Sequence, residues 1–504
     1  MDPILVLVLI FLISLWLYHR WNHRHLFALA KKVGSSRLQM ILGFGPILSS
    51  KTIIQKGLEN AEKLGQDHLC YIGPYPQFVT GDPDTIKDIL TSKLCVFKGD
   101  LTYTGLNHAL GKGILTMQGS EWLQHRKLID PAFKPSKLVE FLSIFNKKVK
   151  RIFEDMDKCH QMKNSYDILV YCREYTIDVT GETVLGKDFN ETTEVNVKHY
   201  AQLITRNLKY ISDISFKVFY HNNFILNLAN LTIFKGARIT SEFLANLIDK
   251  NIDYYSDGNQ PTSQNVKTKD NLVIATVLEA LKNDTIGRHL AISSMVHVFS
   301  AAFETNSSTM YFVMLMLAMH PEYQERAYAE VCEVFPENDD GEFELTYEHI
   351  TQLSYLDMFI KETMRLFPTI PHFGRLVVGG DLRLSSGAVL PEGLELIINV
   401  YNVHHNKDVW GPHANIFNPD NFLPANMENR HPYAFIPFSK GIRFCLGMRY
   451  AEIVLRVTMA KIIKRYKFST TAKLEDLEIH NHISIQLKEH PPLTIERRAN
   501  SNKI

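Results

Sequence analysis

The chain has 504 residues, of which 45% are hydrophobic and 22% charged, the composition of a folded globular protein with a large core. Its formal net charge is +1, so we expect no nucleic-acid partner. The six cysteines are scattered and form no C-x-x-C pair. Their scatter argues against a zinc site or a disulfide framework and favours a reducing compartment.

The N-terminus is apolar over residues 4–18, interrupted only by Ser14 and followed by basic residues that include Arg20 and Arg24. A cleaved secretion signal is the alternative, but no basic residue precedes this stretch and no small-x-small cleavage site follows it. We therefore predict a membrane anchor over residues 1–20. Because positive charge follows the anchor, the body of the chain should lie on the cytosolic side. Residues 21–50, which include the sequence GFGP, are predicted to be a basic linker and hinge, and residues 51–504 a single large domain.

Helical periodicity dominates this domain. It predicts helices over residues 121–127, 200–214, 240–256 and 288–319, and strands over residues 375–384 and 394–400. Residues 256–270 are rich in small polar residues and predict an exposed connection. The predicted fold is mainly α with small β-sheets.

Two helical segments carry paired residues whose ordinary explanation is structural. Trp122 and Arg126 are four residues apart, the spacing of a routine cation–aromatic pair. Glu362 and Arg365 are three residues apart, which is typical of a surface pair worth ~0.2–0.5 kcal/mol. Glu362 and Arg365 lie off the apolar face of their helix, so periodicity alone predicts that these two side chains are solvated.

The helix predicted from residue 288 is apolar on most faces and about 45 Å long, so it should be buried. Its centre nevertheless reads Glu304-Thr-Asn-Ser-Ser-Thr309. A buried carboxylate is costly unless it has a partner or a task. A polar patch turned to solvent, or satisfied by backbone bonding, is the alternative.

The strongest chemical signal is the segment Phe438-Ser-Lys-Gly441-Ile-Arg443-Phe-Cys445-Leu-Gly447, which leads into a predicted helix from about residue 448. A cysteine at a helix N-terminus meets free backbone N–H groups that lower its pKa and favour the metal-binding thiolate. The two glycines allow a tight turn and a close approach to a flat ligand. The arginine could pair with a carboxylate of that ligand. A buried structural cysteine is the alternative.

The spacing Phe-x-x-Gly-x-Arg-x-Cys-x-Gly resembles the haem-binding signature of the cytochromes P-450. The Glu-x-x-Arg pair, the central Glu-Thr and the Trp-x-x-x-Arg segment also resemble motifs of that family and follow in the expected order. The resemblance implies that Cys445 is the proximal haem ligand and that Phe438 packs near its sulfur. It also implies that three arginines contact the haem propionates, with Trp122 beside the first of them: Arg126, Arg375 and Arg443.

The resemblance further implies that Glu304 and Thr305 relay protons to iron-bound dioxygen. Glu362 and Arg365 would be a structural pair on the proximal side. One departure concerns Asn421, which stands where the family often places a second arginine, so this network must be completed differently. A second departure is Ala301, at the position where part of the clan carries a glutamate that esterifies a haem methyl. We therefore expect haem b held without a covalent bond.

Several further segments resemble the microsomal clan that includes fatty-acid ω-hydroxylases, with insect members of family 4 most similar. This resemblance implies an NADPH-dependent monooxygenase acting on a small apolar substrate at the cytosolic face of the endoplasmic reticulum (microsomal) membrane. Electrons would come from NADPH–cytochrome reductase, with cytochrome b5 as a second candidate donor. A haem-thiolate isomerase or dehydratase that rearranges peroxides, and a non-catalytic haem sensor, are the alternatives.

Overall fold

A computed structural model of the chain describes residues 2–46, 48–162, 167–187, 197–217, 220, 223–232, 235–260, 270, 272–336 and 341–498. In the first half of the chain the helices are α1 (Pro3–Asn22), α2 (Arg24–Leu29), α3 (Arg37–Leu42), α4 (Ile53–Leu64), α5 (Pro83–Thr91), α6 (Asp100–Leu110), α7 (Gly119–Ile129), α8 (Pro135–Glu140), α9 (Leu142–Met162), α10 (Ile168–Leu185), α11 (Val197–Phe216), α12 (Asn223–Thr232) and α13 (Lys235–Ser256).

In the second half they are α14 (Val273–Lys282), α15 (Arg288–Met319), α16 (Pro321–Val334), α17 (Tyr347–Gln352), α18 (Ser354–Leu366), α19 (Val400–His405), α20 (Lys407–Trp410), α21 (Pro424–Glu428) and α22 (Met448–Arg465). The strands are β1 (Gly34–Ser35), β2 (Asp67–Ile72), β3 (Tyr75–Thr80), β4 (His372–Leu376), β5 (Leu382–Arg383), β6 (Val389–Leu390), β7 (Glu395–Asn399), β8 (Tyr466–Ser469), β9 (Ile479–His482), β10 (Ser484–Leu487) and β11 (Thr494–Arg497). The predicted fold class, mainly α with small sheets, is confirmed.

Helix α15 is the centre of the molecule. It is apolar on nearly every face, and most of its residues are buried in the largest hydrophobic core cluster. Its most extensive packing is against α10, and it also contacts α13, α18, α22 and β10. A helix that is apolar all round needs partners on all sides, and these neighbours supply them. Its bounds coincide with the predicted residues 288–319.

The largest sheet packs around a second, smaller core and has the strand order β1-β2-β3-β7-β4. Strand β4 runs antiparallel to β7, with Arg375 opposite Leu396. The predicted strand over residues 375–384 is wrong in extent. It is interrupted after Leu376 by Gly379 and Gly380, which have φ values of +91° and +130°. Such left-handed backbone favours glycine and ends the extended run before β5.

The N-terminal helix α1 has 20 residues and no buried residue, and an 18-residue window within it has a mean hydropathy of 2.0. It is therefore long and apolar enough to cross a membrane. The segment that we predicted as a linker contributes to the folded body. Strand β1 pairs with β2, and Leu26, Leu29 and Met40 are buried in the second core. A domain boundary at residue 50 stays a prediction. The predicted exposed connection over residues 256–270 lies mostly outside the described residues.

Candidate active site

The loop before α22 is closed at its base by one backbone hydrogen bond. The N–H of Cys445 donates to the carbonyl oxygen of Phe438 at 2.9 Å, and the Phe438 ring packs against the main core. Gly441 has φ +73°, and a Cβ there would lie 2.0 Å from the Leu90 carbonyl oxygen. The tight approach that this glycine permits is therefore to the chain's own backbone rather than to a ligand. A Cβ on Gly447, which caps α22, would meet no atom within 4 Å.

The Cys445 side chain is exposed, yet enough protein surrounds the sulfur for burial to raise the pKa of its thiol. A hydrogen bond with the Gly447 backbone and the charge of Arg126 lower that pKa, but burial outweighs both. The expected net lowering at the helix N-terminus is thus wrong for the free thiol. A bound metal would deprotonate the thiol outright.

Arg443 is held by backbone carbonyls on two other segments. Its Nε donates to Val96 at 2.8 Å and its Nη2 to Met117 at 2.6 Å, and the guanidinium lies over the Trp122 ring at 4.1 Å. Its Nη1 is buried and has no hydrogen-bond partner among the described residues. Burial, and then the nearby charge of Arg375, lower the Arg443 pKa to about 9. One donor of this side chain is therefore left for another molecule.

The other two predicted arginines are buried, whereas Arg443 is half-buried. Arg126 donates to the Phe444 carbonyl oxygen at 2.9 Å and pairs with Asp130 at 2.5 Å. The cation over the Trp122 ring is Arg443 rather than Arg126, so the simple i, i+4 pair suggested by the sequence is replaced by a contact between distant segments. Arg375 is 3% exposed, donates to the Gly374 carbonyl oxygen, and has a pKa lowered by burial.

A fourth cation, Lys98, joins this cluster and was missed from the sequence. Burial, then Arg443 and Arg375, lower the pKa of Lys98 well below its usual value. The segment around it shows no periodicity or spacing that would have separated it from a surface lysine. Its position became visible only when the chain segments that surround it were brought together.

On α15, a half-buried strip interrupts the buried surface of the helix. Ala301, Ala302 and Thr305 are partly accessible, while the residues that follow them up to Ala318 are buried. The Thr305 hydroxyl donates to the Ala301 carbonyl oxygen at 2.7 Å, as a threonine in a helix commonly does. This strip is the part of α15 that a ligand could reach.

Glu304 is 5% exposed and is held from a different direction. Its Oε1 accepts from Ser484 at 2.7 Å and from Gln486 at 3.2 Å, and lies 3.9 Å from Arg173 on α10. Its Oε2 is buried without a partner among the described residues. Consecutive helical residues point about 100° apart, and no hydrogen bond joins Glu304 to Thr305 in the described part of the chain. The alternative of a solvent-facing polar patch is wrong for Glu304.

Glu362 and Arg365 are fully buried, contrary to what periodicity alone predicted. Two parallel bonds of 2.7 Å join the carboxylate to the guanidinium, a bidentate pair. The backbone N–H of Asn418 and the side-chain amide of Asn421 donate to the same carboxylate at 2.8 and 3.1 Å. Asn421 thus completes the network itself. Its side-chain amide donates the hydrogen bond that an arginine often supplies in the family that the sequence resembles.

The residues present fit a flat ligand with a central metal and two carboxylates. An accessible sulfur is the soft ligand for the metal. A cluster of buried and half-buried cations with an unused Arg443 donor suits the carboxylates. No group of three or more side chains among the described residues could hold a metal ion by itself. A single protein ligand together with a carboxylate-binding cluster is the pattern of a haem-thiolate protein.

Comparison with known proteins agrees. The family model "Cytochrome P450" matches residues 36–494. Among curated proteins, "Probable cytochrome P450 313a4" of Drosophila melanogaster is 32% identical, over 97% of this chain and 98% of the relative. "Cytochrome P450 4c21" of Blattella germanica is 31% identical over 93% of both, and "Probable cytochrome P450 4ac1" of Drosophila melanogaster is 27% identical over 87% and 84%.

This chain belongs to the cytochrome P450 family. Membership implies a haem iron and, in general, haem-thiolate monooxygenase chemistry. The predicted likeness to insect members is confirmed. Family 4 proteins are among the relatives, at lower identity than 313a4.

Proposed function

We propose that this chain inserts one oxygen atom of O2 into an apolar substrate, with electrons from NADPH delivered by a reductase. The observation that carries the proposal is the Cys445 sulfur, accessible at the base of a closed loop and near a cluster of buried and half-buried cations. Family membership supports the general chemistry.

When bound, the haem supplies the dioxygen chemistry, and a thiolate ligand favours O–O cleavage. Cys445 would hold the iron, while Arg126, Arg375 and Arg443 would hold the two carboxylates. The haem would be bound without a covalent link, because Ala301 offers no carboxylate for one.

Glu304 and Thr305 would supply protons on the opposite side of the haem. Because the two side chains leave α15 in different directions, we propose that water links the free Oε2 of Glu304 to the Thr305 hydroxyl. The accessible strip of Ala301 and Ala302 has no polar side chain, which suits an apolar substrate.

Helix α1 supports a location on the cytosolic face of the endoplasmic reticulum membrane, where a membrane-bound reductase would meet the protein. Lys127 and Arg449 are exposed and would be available to an acidic donor such as the reductase or cytochrome b5. Arg456 is less available for this role, because it pairs with Asp357 at 3.1 Å.

The test is the absorption spectrum of the reduced, CO-bound full-length protein and of Cys445→Ser. The unchanged chain should show the strongly red-shifted Soret band of thiolate ligation, and the variant should lose it or lose the haem. An unshifted band in the folded unchanged chain contradicts the proposal. Turnover that needs NADPH and reductase then separates a monooxygenase from a peroxide-rearranging isomerase or a sensor, neither of which consumes NADPH.

A further inference from the structure

Cys332 on α16 and Lys464 on α22 meet where these two helices pack against each other. The Lys464 Nζ lies 3.2 Å from the Cys332 Sγ and also donates to the Phe335 carbonyl oxygen at 3.0 Å. Lys464 is only 2% exposed, and it forms no ion pair with any described residue. A buried amine is therefore held against the sulfur, with no acid in the described part of the chain to draw it away.

Cys332 also differs from the other cysteines in its exposure. Cys445 is assigned to the haem iron, and the remaining four are buried: Cys70, Cys95, Cys159 and Cys172. Burial raises the pKa of the Cys70 thiol to about 12 and that of the Cys95 thiol to about 11, so both stay in the unreactive thiol form. Cys332 is half-buried, which leaves it open to a small oxidant. Partial exposure next to a lysine is the setting in which cysteines react.

We propose that hydrogen peroxide converts the Cys332–Lys464 contact into a covalent cross-link between α16 and α22. Peroxide oxidises the Cys332 thiol to a sulfenic acid and is itself reduced to water. The Lys464 ammonium releases one proton to solvent, and its nitrogen then attacks the sulfur. The sulfenic hydroxyl leaves as water together with one hydrogen of the amine, so that a sulfur–nitrogen bond remains. A second peroxide inserts one oxygen into that bond, with water as the other product.

The cross-link would close the long stretch of chain between residues 332 and 464. That stretch contains the buried Glu362–Arg365 pair and the loop of Cys445. Closing a long loop restricts the unfolded chain far more than the folded one, so the link should stabilise the fold as a disulfide does. The inference concerns a modification site remote in sequence from the cysteine loop, and it does not rest on the proposed function.

The test is peptide mass spectrometry of the full-length holoprotein after treatment with hydrogen peroxide. Excess imidazole occupies the haem iron, so that the haem does not consume the oxidant. We expect a linked pair of peptides that contain Cys332 and Lys464. Its mass should equal that of the two free peptides less two hydrogen atoms, with or without one added oxygen, and dithiothreitol should separate the pair again. Cys332 left unchanged, or oxidised without a link, would overturn the proposal.

Three variants separate the cross-link from a mere hydrogen bond between the helices. Lys464→Arg keeps a positive charge but offers no nucleophilic amine, because arginine is not deprotonated in proteins. The link should be lost in this variant and in Cys332→Ser. It should persist in Lys461→Arg, the matched control, because Lys461 is 1% exposed on the same helix and donates to the Phe343 carbonyl oxygen instead of a sulfur.

Thermal melting gives a second measurement. Peroxide should raise the melting temperature of the unchanged chain by a few degrees and leave that of Cys332→Ser where it was. A link that survives in Lys464→Arg would show that another amine reacts and would overturn the assignment. Equal shifts of the melting temperature in the unchanged chain and in Cys332→Ser would overturn the stabilising role.

Discussion

Glu362 and Arg365 form an ion pair from which water is excluded, and each depends on the other. Both side chains are 0% exposed, and the carboxylate also accepts a hydrogen bond from the Asn421 side-chain amide. The arginine binds the carbonyl oxygens of His404 and Ala414, so it joins α18 to two later segments. The pair therefore ties α18 to segments that precede the cysteine loop in the chain.

Replacing Glu362 by glutamine should destabilise the fold strongly. The change leaves the Arg365 charge buried without a counter-ion, a loss of about 3–5 kcal/mol in the free energy of unfolding. Urea denaturation followed by circular dichroism measures it. Lys361→Gln is the control, because Lys361 pairs with Asp357 on the half-exposed side of the same helix and should lose about 0.2–1 kcal/mol. Similar losses in both variants would refute the structural role.

Thr305 and Thr309 stand one turn apart on α15 and make the same hydrogen bond to the carbonyl four residues earlier. They differ in surroundings, since Thr309 is buried and also bonds to Thr369 at 2.9 Å. If Thr305 alone takes part in proton delivery, Thr305→Ala should raise peroxide formed per NADPH several-fold, while Thr309→Ala should leave it unchanged.

The measurement uses an apolar substrate chosen because it shifts the ferric Soret band of the unchanged protein. Peroxide and NADPH are followed together in the presence of reductase. Equal peroxide yields in the two variants, or no rise with Thr305→Ala, would remove Thr305 from the proton relay.

At the scale of elements, the β9–β10 hairpin matters because it holds α15 at two points. Ser484 donates to the Glu304 carboxylate at 2.7 Å, and Ser308 donates to the Ile485 carbonyl oxygen at 3.1 Å. The first bond reaches a buried carboxylate and the second a neutral carbonyl. The hairpin therefore positions Glu304 as well as covering the helix.

The two serines give a matched comparison. Ser484→Ala removes a bond to a carboxylate and should lower the free energy of unfolding by about 1.5–3 kcal/mol, whereas Ser308→Ala should cost about 0.5–1.5 kcal/mol. Denaturation curves of the two variants measure both losses in the free energy of unfolding. A smaller loss for Ser484→Ala than for Ser308→Ala would show that Glu304 does not depend on the hairpin.

At the scale of the whole molecule, α1 and the segment after it have different roles. Helix α1 buries no residue, while Leu26, Leu29 and β1 belong to the body. Deleting residues 2–22 should therefore release the protein from membranes and leave the CO-bound spectrum unchanged. Deleting residues 2–36 should in addition lower the melting temperature, because it removes core side chains and a strand.

Carbonate extraction of membranes, the CO spectrum and thermal melting measure these three properties. Tight membrane retention after the shorter deletion would show that another surface of the body anchors the protein. Equal melting temperatures for the two deletions would show that residues 23–36 contribute little to the fold.

The sequence by itself determined the central helix to the residue, the mainly α fold class, the family resemblance and Cys445 as the metal ligand to test. These are encoded locally, in periodicity, in an apolar stretch or in the spacing of a short motif. It missed the break between β4 and β5, where two glycines allow the strand to end. Periodicity alone also placed Glu362 and Arg365 in solvent, although the family resemblance implied that they are a structural pair.

Only the tertiary structure decided which distant groups meet. Burial of the Glu362 pair, the Asn421 amide that completes its network, the hairpin that binds Glu304 and the Trp122 contact with Arg443 all join segments far apart in the chain. Lys98 is the clearest case, because no periodicity or residue spacing around it distinguishes it from a surface lysine. Its environment arises where the start of α7, the end of β4 and the cysteine loop converge, and such convergence follows from packing rather than from local sequence.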